Sequence, residues 1–220
     1  MSDYTQLIEE LCIDEDWHMK ELSIYKSIPH RYGTVKFGTI NDSYWKMCVP
    51  MIYAHWEGFC VQSLKKVCDY ISAQHIQYSS VIDDIAVLAM SKHIHSLSGQ
   101  KIEKDKAIIF YRNFLEKHSG SVEIDTAVAV SAHSKLNYKR LKNMMGQIGI
   151  EIDSNEVIKS KKNTIEKLVT YRNKICHGEN SIKVTEDDIV SFIRGINALF
   201  DALLVIFESY LQGNEFLIKE

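Results

Sequence analysis

The chain has 220 residues, 45% of them hydrophobic and only two of them Pro, enough to bury a full core as one globular unit. A formal charge of −3 excludes attraction of nucleic acid by the whole-molecule field, so a polyanion would have to meet a local basic surface. The five cysteines are odd in number and form no C-x-x-C pair, and no apolar cleavable segment opens the chain, so a reduced, cytoplasmic protein is expected.

From Asp3 to Ile28 the apolar residues Leu7, Ile8, Leu11, Trp17, Leu22, Tyr25 and Ile28 recur at three- and four-residue steps, which predicts a long helix ended by Pro29. His30 to Ile40, with two Gly among β-branched residues, predicts a loop or short hairpin. Asn41 or Asp42 can cap a second helix running to about Gln74 and kinked at Pro50. Within it Ala54 and Gly58 are four apart, an approach face for another helix, with Glu57 beside it. Ser79 or Ser80 can cap a third helix to about Ser96, and Asp105 a fourth to about Lys117.

The alternation from Ser121 to Ala132 fits a short strand or an apolar crossing segment, with no sheet expected. Helical spacing returns at Leu136, Leu141, Met144, Met145 and Ile148, broken by Gly146 and Gly149. A further helix is predicted from about Glu156 to His177, basic at Lys159, Lys161, Lys162 and Lys167, apolar at Ile165, Leu168 and Ile175, and capped by Gly178. Thr185 with Asp188 forms a capping box that opens a long apolar helix to about Leu211. Its most apolar run, 196–207, is interrupted by Asn197 and Asp201 and falls short of the roughly 20 residues of a membrane span, so no membrane partner is expected. The sum is an all-α antiparallel bundle with extra helices and at most a short strand or hairpin. It reads as a single domain, 1–220: an N-terminal helix and connecting loop (1–40), a bundle core (41–211) and a C-terminal tail (212–220).

The end of the 156–177 helix carries the chemistry. Arg172 can bind a phosphate and His177 can move a proton near neutral pH, neither needing a metal. Asn173 and His177 are four apart and share a helical face, whereas Arg172 stands about 140° round the axis from His177. The bland alternative is an Arg paired with an acid and a His capping the terminal carbonyls. Spacing alone does not choose, since Arg112-Asn113 with His118 gives a rival R-x5-H match at another helix end.

The string Arg172-Asn173-Lys174-Ile175-Cys176-His177-Gly178 resembles the R-N-x-I-x-H-G form of the R-x4-6-H motif of HEPN ribonucleases. Tyr53-Ala54-His55-Trp56-Glu57-Gly58-Phe59 is similar to the Y-A-H-W-E-G-F segment of the MAE-type, RiboL-PSP-related HEPN-like nucleases. Leu136-Asn137-Tyr138 through Ile148-Gly149-Ile150 is similar to their N-x-x-x-L…L-G-L/I stretch. Cys176 stands where that family often has Ala, and Asp3 to Ile40 has no claimed match. The resemblance implies a HEPN-like bundle that forms a homodimer, faces two R-x4-H motifs into one cleft and cuts single-stranded RNA with no cofactor and no metal. It implies catalytic roles for Arg172 and His177 and supporting roles for Asn173 and, by family analogy, Glu57, which would hold Arg172 or His177. It further suggests a toxin or antiphage nuclease with a cognate antitoxin or regulatory protein. A catalytically silent module that binds nucleotide, RNA or a partner protein, and a purely structural dimerisation domain, are the alternatives.

Other signals are weaker. Lys167 and Lys174 lie on a lysine face that is ordinarily solvated surface but on this helix could draw RNA inward. His93-x-His95 lacks companion ligands at metal spacing, and Glu15-x-x-His18 is a single E-x-x-H where a di-iron bundle needs two. Met144, Met145 and the helical Trp and Tyr residues read as core.

Overall fold

The computed structural model describes residues 4–31, 38–96, 104–118, 120–130, 135–179 and 181–219, with backbone only at 29–31, 38–42, 95–96, 104 and 116–118. Among these residues the chain forms ten α-helices and no strand. They are α1 (Tyr4–Arg31), α2 (Gly38–Ala73), α3 (Asp83–Ala89), α4 (Ser91–Ser96), α5 (Lys104–His118), α6 (Thr126–Ala129), α7 (Tyr138–Gly146), α8 (Glu156–Ser160), α9 (Lys162–Cys176) and α10 (Glu186–Gln212).

The core is built where α2 meets α1, α9 and α10. Contacts between α1 and α2 run from Glu10–Lys66 through His18–His55 to Tyr25–Tyr44, so the two helices are antiparallel. Phe59 and Phe200 pack with ring centroids 4.4 Å apart, and His18 meets Phe59 edge-on and Phe200 at a tilt. A Cβ on Gly58 would stand 3.7 Å from His18 Cε1, so the small face of α2 receives α1, as expected for close helix approach. Ala54 is exposed but lines the same groove with Trp17. The apolar side of α10 is core: Phe192, Ile196, Leu199, Phe200, Leu203 and Phe207 are essentially inaccessible. By length and composition α10 could cross a membrane, but 56% of its apolar stretch is buried inside the fold.

Several boundaries differ from the sequence reading, each for a physical reason. Helix α1 continues through Pro29 to Arg31. Pro29 cannot supply the N–H that would reach the Tyr25 carbonyl, and the Tyr44 hydroxyl donates to that carbonyl instead, at 2.6 Å. Helix α2 begins at Gly38, so Asn41 and Asp42 lie inside its first turns and not at its start. The loop or hairpin expected before it falls largely on 32–37, outside the described residues.

Ser79 and Ser80 sit in a 3-10 turn (Tyr78–Ser80), and the helix beyond starts only after Ile82 and is split at Met90. Tertiary pairing displaces the expected cap: Ile82 N–H donates to Phe216 O and Ile218 N–H to Ser80 O. The same bonds make 213–218 part of the packed fold, with Phe216 fully buried. Asp105 lies in the first turn of α5, which starts one residue earlier.

The strand-like run forms the one-turn helix α6, because Asp125 O accepts from Val128 and Ala129 N–H and the chain offers it no neighbouring strand among the described residues. The long helix expected from Glu156 is broken at Lys161, after Asn155 caps α8 and the Ser160 hydroxyl turns back to Val157 O. The Thr185–Asp188 capping box is present in both directions.

The α1 interface holds two sets of buried titratable groups. Tyr25 Oη lies 3.1 Å from His55 Nε2, and His55 Nδ1 2.7 Å from His18 Nδ1. One tautomer set satisfies every atom: Tyr25 donates to His55 Nε2, His55 Nδ1–H donates to His18 Nδ1, and His18 Nε2–H faces Asp14 at 3.9 Å. Burial lowers both imidazole pKa values, against the opposing charges of Asp14 at His18 and Glu21 at His55. Glu15 has the opposite sign: burial, then the charge of Asp201, pushes it up to about 7.

Unfolded Glu titrates near 4.3, so ionising Glu15 at high pH destabilises the fold. In urea titrations Glu15→Gln should therefore be more stable than wild type at pH 8 and lose that advantage below pH 5. With Glu15→Gln as background, the two histidines take up protons more readily unfolded. Stability should then fall as pH drops below about 6.5, by at most about 1.4 kcal/mol per pH unit for each imidazole.

Candidate functional site at the end of α9

Helix α9 stops in a Schellman arrangement: Gly178 N–H donates to Ile175 O at 3.0 Å and Glu179 N–H to Lys174 O at 2.9 Å. Gly178 adopts φ +75°, the left-handed conformation this closure requires, so the glycine expected to cap the helix does so. These backbone donors and His177 N–H, which bonds Asn173 O, take up terminal carbonyls of the helix. The His177 side chain therefore does not cap it. The ring is exposed, and among the described residues it has no side-chain hydrogen bond.

Arg172 points the other way, from the side of α9 that carries the buried Ile165, Leu168 and Val169. It is half-buried, with its guanidinium carbon 4.8 Å from the centroid of the Tyr53 ring on α2. Its Nη1 donates to Asn173 Oδ1 at 3.1 Å. Among the described residues it makes no ion pair, so its charge is not spent on an internal carboxylate. Asn173 thus holds the guanidinium and not the His177 ring.

Glu57 does not hold Arg172 directly. Its charge acts instead on the Tyr53 phenol, one group removed, and helps raise that pKa. Tyr53 is also fixed from the far side, where Leu136 N–H donates to its oxygen at 2.7 Å, and Trp56 Nε1 donates to Leu136 O at 3.1 Å. Burial pushes the Tyr53 phenol up to about 12, although the Leu136 bond works against it. Tyr53 was not singled out from the sequence as a site residue. The signal available was its position four residues before Glu57, on the adjoining face of one helix.

A family model described as MAE_28990-like HEPN matches residues 7–216. The chain belongs to this HEPN family. No curated protein and no solved structure matches it. Two motifs that carried the resemblance meet in space in this HEPN bundle: the Tyr53–Phe59 segment supplies the shelf under Arg172, and Leu136–Asn137 is clamped onto that shelf. Asn137 caps α7 by accepting from Arg140 N–H.

The two lysines proposed for RNA contact have partners of different strength. Lys167 forms a 2.7 Å bond with Asp188 of the α10 capping box and lies over the rings of Tyr171 and Phe192. That bond raises the Lys167 pKa. Burial alone would raise Asp188, and its bonds to Lys167 and Thr185 bring it below the ordinary value. Lys167 is accordingly a brace between α9 and α10. Lys174 lies 4.0 Å from Glu179, a loose surface pair.

Of the rival motif, Arg112 is exposed on α5, Asn113 hydrogen-bonds His93 Nδ1 at 3.1 Å, and the His118 side chain lies outside the described residues. His95 is likewise not described beyond its backbone. The lone E-x-x-H is divided between two partners, Glu15 turning to Asp201 and His18 to His55. No group of three His, Cys, Asp or Glu among the described residues could hold a metal ion. Met144 and Met145 are core, as expected. All five cysteines are free, with Cys176 exposed beside His177.

No atom lies within 4 Å of a Cβ built on Gly178, so Gly178→Ala tests backbone strain alone. It should lower unfolding stability by about 1 kcal/mol, read by denaturant titration.

Proposed function

We propose that this HEPN protein is a metal-independent endoribonuclease that cuts single-stranded RNA in a cleft shared by two copies, and that it serves as a toxin or antiphage nuclease. The observation that carries the reading is the failure of both bland explanations for the motif. Arg172 is braced by neutral groups and keeps its charge for an anion, and His177 leaves helix capping to backbone N–H groups and keeps both ring nitrogens for solvent.

In this mechanism Arg172 binds the scissile phosphate and stabilises the charge that develops on it. His177 takes the proton of the ribose 2′-OH or supplies one to the leaving oxygen, worth roughly 10²–10⁴-fold. Attack by the 2′ oxygen leaves a 2′,3′-cyclic phosphate on one product and a 5′-hydroxyl on the other. Two features favour a shared cleft. Arg172 and His177 leave α9 in different directions, and neither lines any of five cavities of about 390 to 520 Å³ on the described surface.

One observation favours the second reading, a catalytically silent module for nucleotide, RNA or a partner protein. Among the described residues no side chain orients the His177 ring, and general bases are ordinarily held by a third group.

Purified protein should sediment as a dimer and cut single-stranded RNA in EDTA. Arg172→Ala and His177→Ala should each reduce cutting by about 100-fold or more, with melting temperatures near wild type. Full cutting by both variants would remove this site. Loss confined to Arg112→Ala or His118→Ala would move it to α5, and RNA binding without cutting would select the silent module.

A further inference from the structure

We propose that Tyr53 is the positioning residue of this site: the face of its ring fixes the plane of the Arg172 guanidinium and so presents one N–H edge to a phosphate. The proposal rests on reading Arg172 as the phosphate-binding group. A guanidinium carries five N–H donors in a single plane. In this protein the guanidinium carbon sits over the face of the Tyr53 ring, 4.8 Å from its centroid and within cation–π range, and Asn173 Oδ1 takes Nη1 at 3.1 Å. The donors not used by Asn173 remain for a planar, two-point grip on phosphate oxygens.

The ring is itself held fast. Tyr53 is 2% exposed, and Leu136 N–H donates to its oxygen at 2.7 Å. An arginine of this length has considerable rotamer freedom, and ordering it before substrate arrives removes that cost from binding. The Tyr53 hydroxyl is occupied inside the protein, so the residue acts through Arg172 and not on the substrate.

The test measures binding of a 2′-O-methyl RNA oligomer, which cannot be cut, by fluorescence anisotropy, alongside cutting of the matching RNA in EDTA. Tyr53→Leu should weaken binding about 5- to 10-fold and lower cutting, whereas Tyr53→Phe, which keeps the ring, should stay within about 3-fold of wild type. In a double-mutant cycle, adding Tyr53→Leu to Arg172→Ala should change affinity no further, since the ring acts only through the arginine. Unchanged binding in Tyr53→Leu beside impaired Arg172→Ala would overturn the role of Tyr53 and leave Arg172 in place. Losses that add in full would overturn it as well, because a merely structural role persists without Arg172. Unchanged binding and cutting in Arg172→Ala would instead defeat the reading of Arg172 itself. Should Tyr53→Leu fail to fold, wild-type NMR decides. The Nε–H signal of Arg172, assigned by its loss in Arg172→Lys, should be ring-shifted upfield of the other four arginines, and an unshifted signal overturns the proposal.

Discussion

Two side chains from one turn of α2 satisfy both backbone polar groups of a buried residue that is distant in sequence. Tyr53 accepts from Leu136 N–H and Trp56 donates to Leu136 O. Leaving either group unpaired at a site with no solvent exposure would cost about 1–3 kcal/mol, so the entry to α7 is pinned to the middle of α2. That clamp fixes the Tyr53 ring from one side, and Arg172 of α9 rests on its face. The same α2 segment turns His55 toward His18 on α1. Helix α2 is therefore the beam on which α1, α7 and α9 are registered, and the geometry at the end of α9 follows from that registration.

The end of α9 combines two requirements that oppose each other in an ordinary helix terminus. Its carbonyls must be capped, and its charged side chains must remain available. The Schellman closure at Gly178 meets the first with backbone donors alone. The cation–π shelf meets the second, because an aromatic face steadies a guanidinium without neutralising it as a carboxylate would. Lys167 shows the contrast within one helix. Paired with Asp188, it braces α9 against α10.

What the sequence made legible was local. Thr185 and Asp188 are three residues apart and cap α10 as their spacing predicts. Gly178 follows the last periodic residues and takes the left-handed conformation, and the apolar face of α10 is the core. What stayed illegible depends on partners far along the chain. Pro29 does not end α1, since Tyr44 supplies the missing donor across an interface no pattern announces. Ser79 and Ser80 look like a cap and are instead drawn into pairing with 216–218. At the site, the motif named Arg172, Asn173 and His177 but could not say which of the last two the first would touch. It placed Glu57 near Arg172 without the intervening Tyr53, because a ring held from both sides is a property of three helices and not of one spacing.

In the proposed mechanism Arg172 and His177 act in a cleft to which two chains contribute. The most direct measurement mixes Arg172→Ala and His177→Ala proteins, each inactive alone, under conditions of confirmed subunit exchange, and follows RNA cutting in EDTA. A mixed dimer of this kind would bring one arginine and one histidine to the same cleft, so cutting should reappear at a sizeable fraction of the wild-type rate. Complete subunit exchange with no recovery of cutting would contradict it.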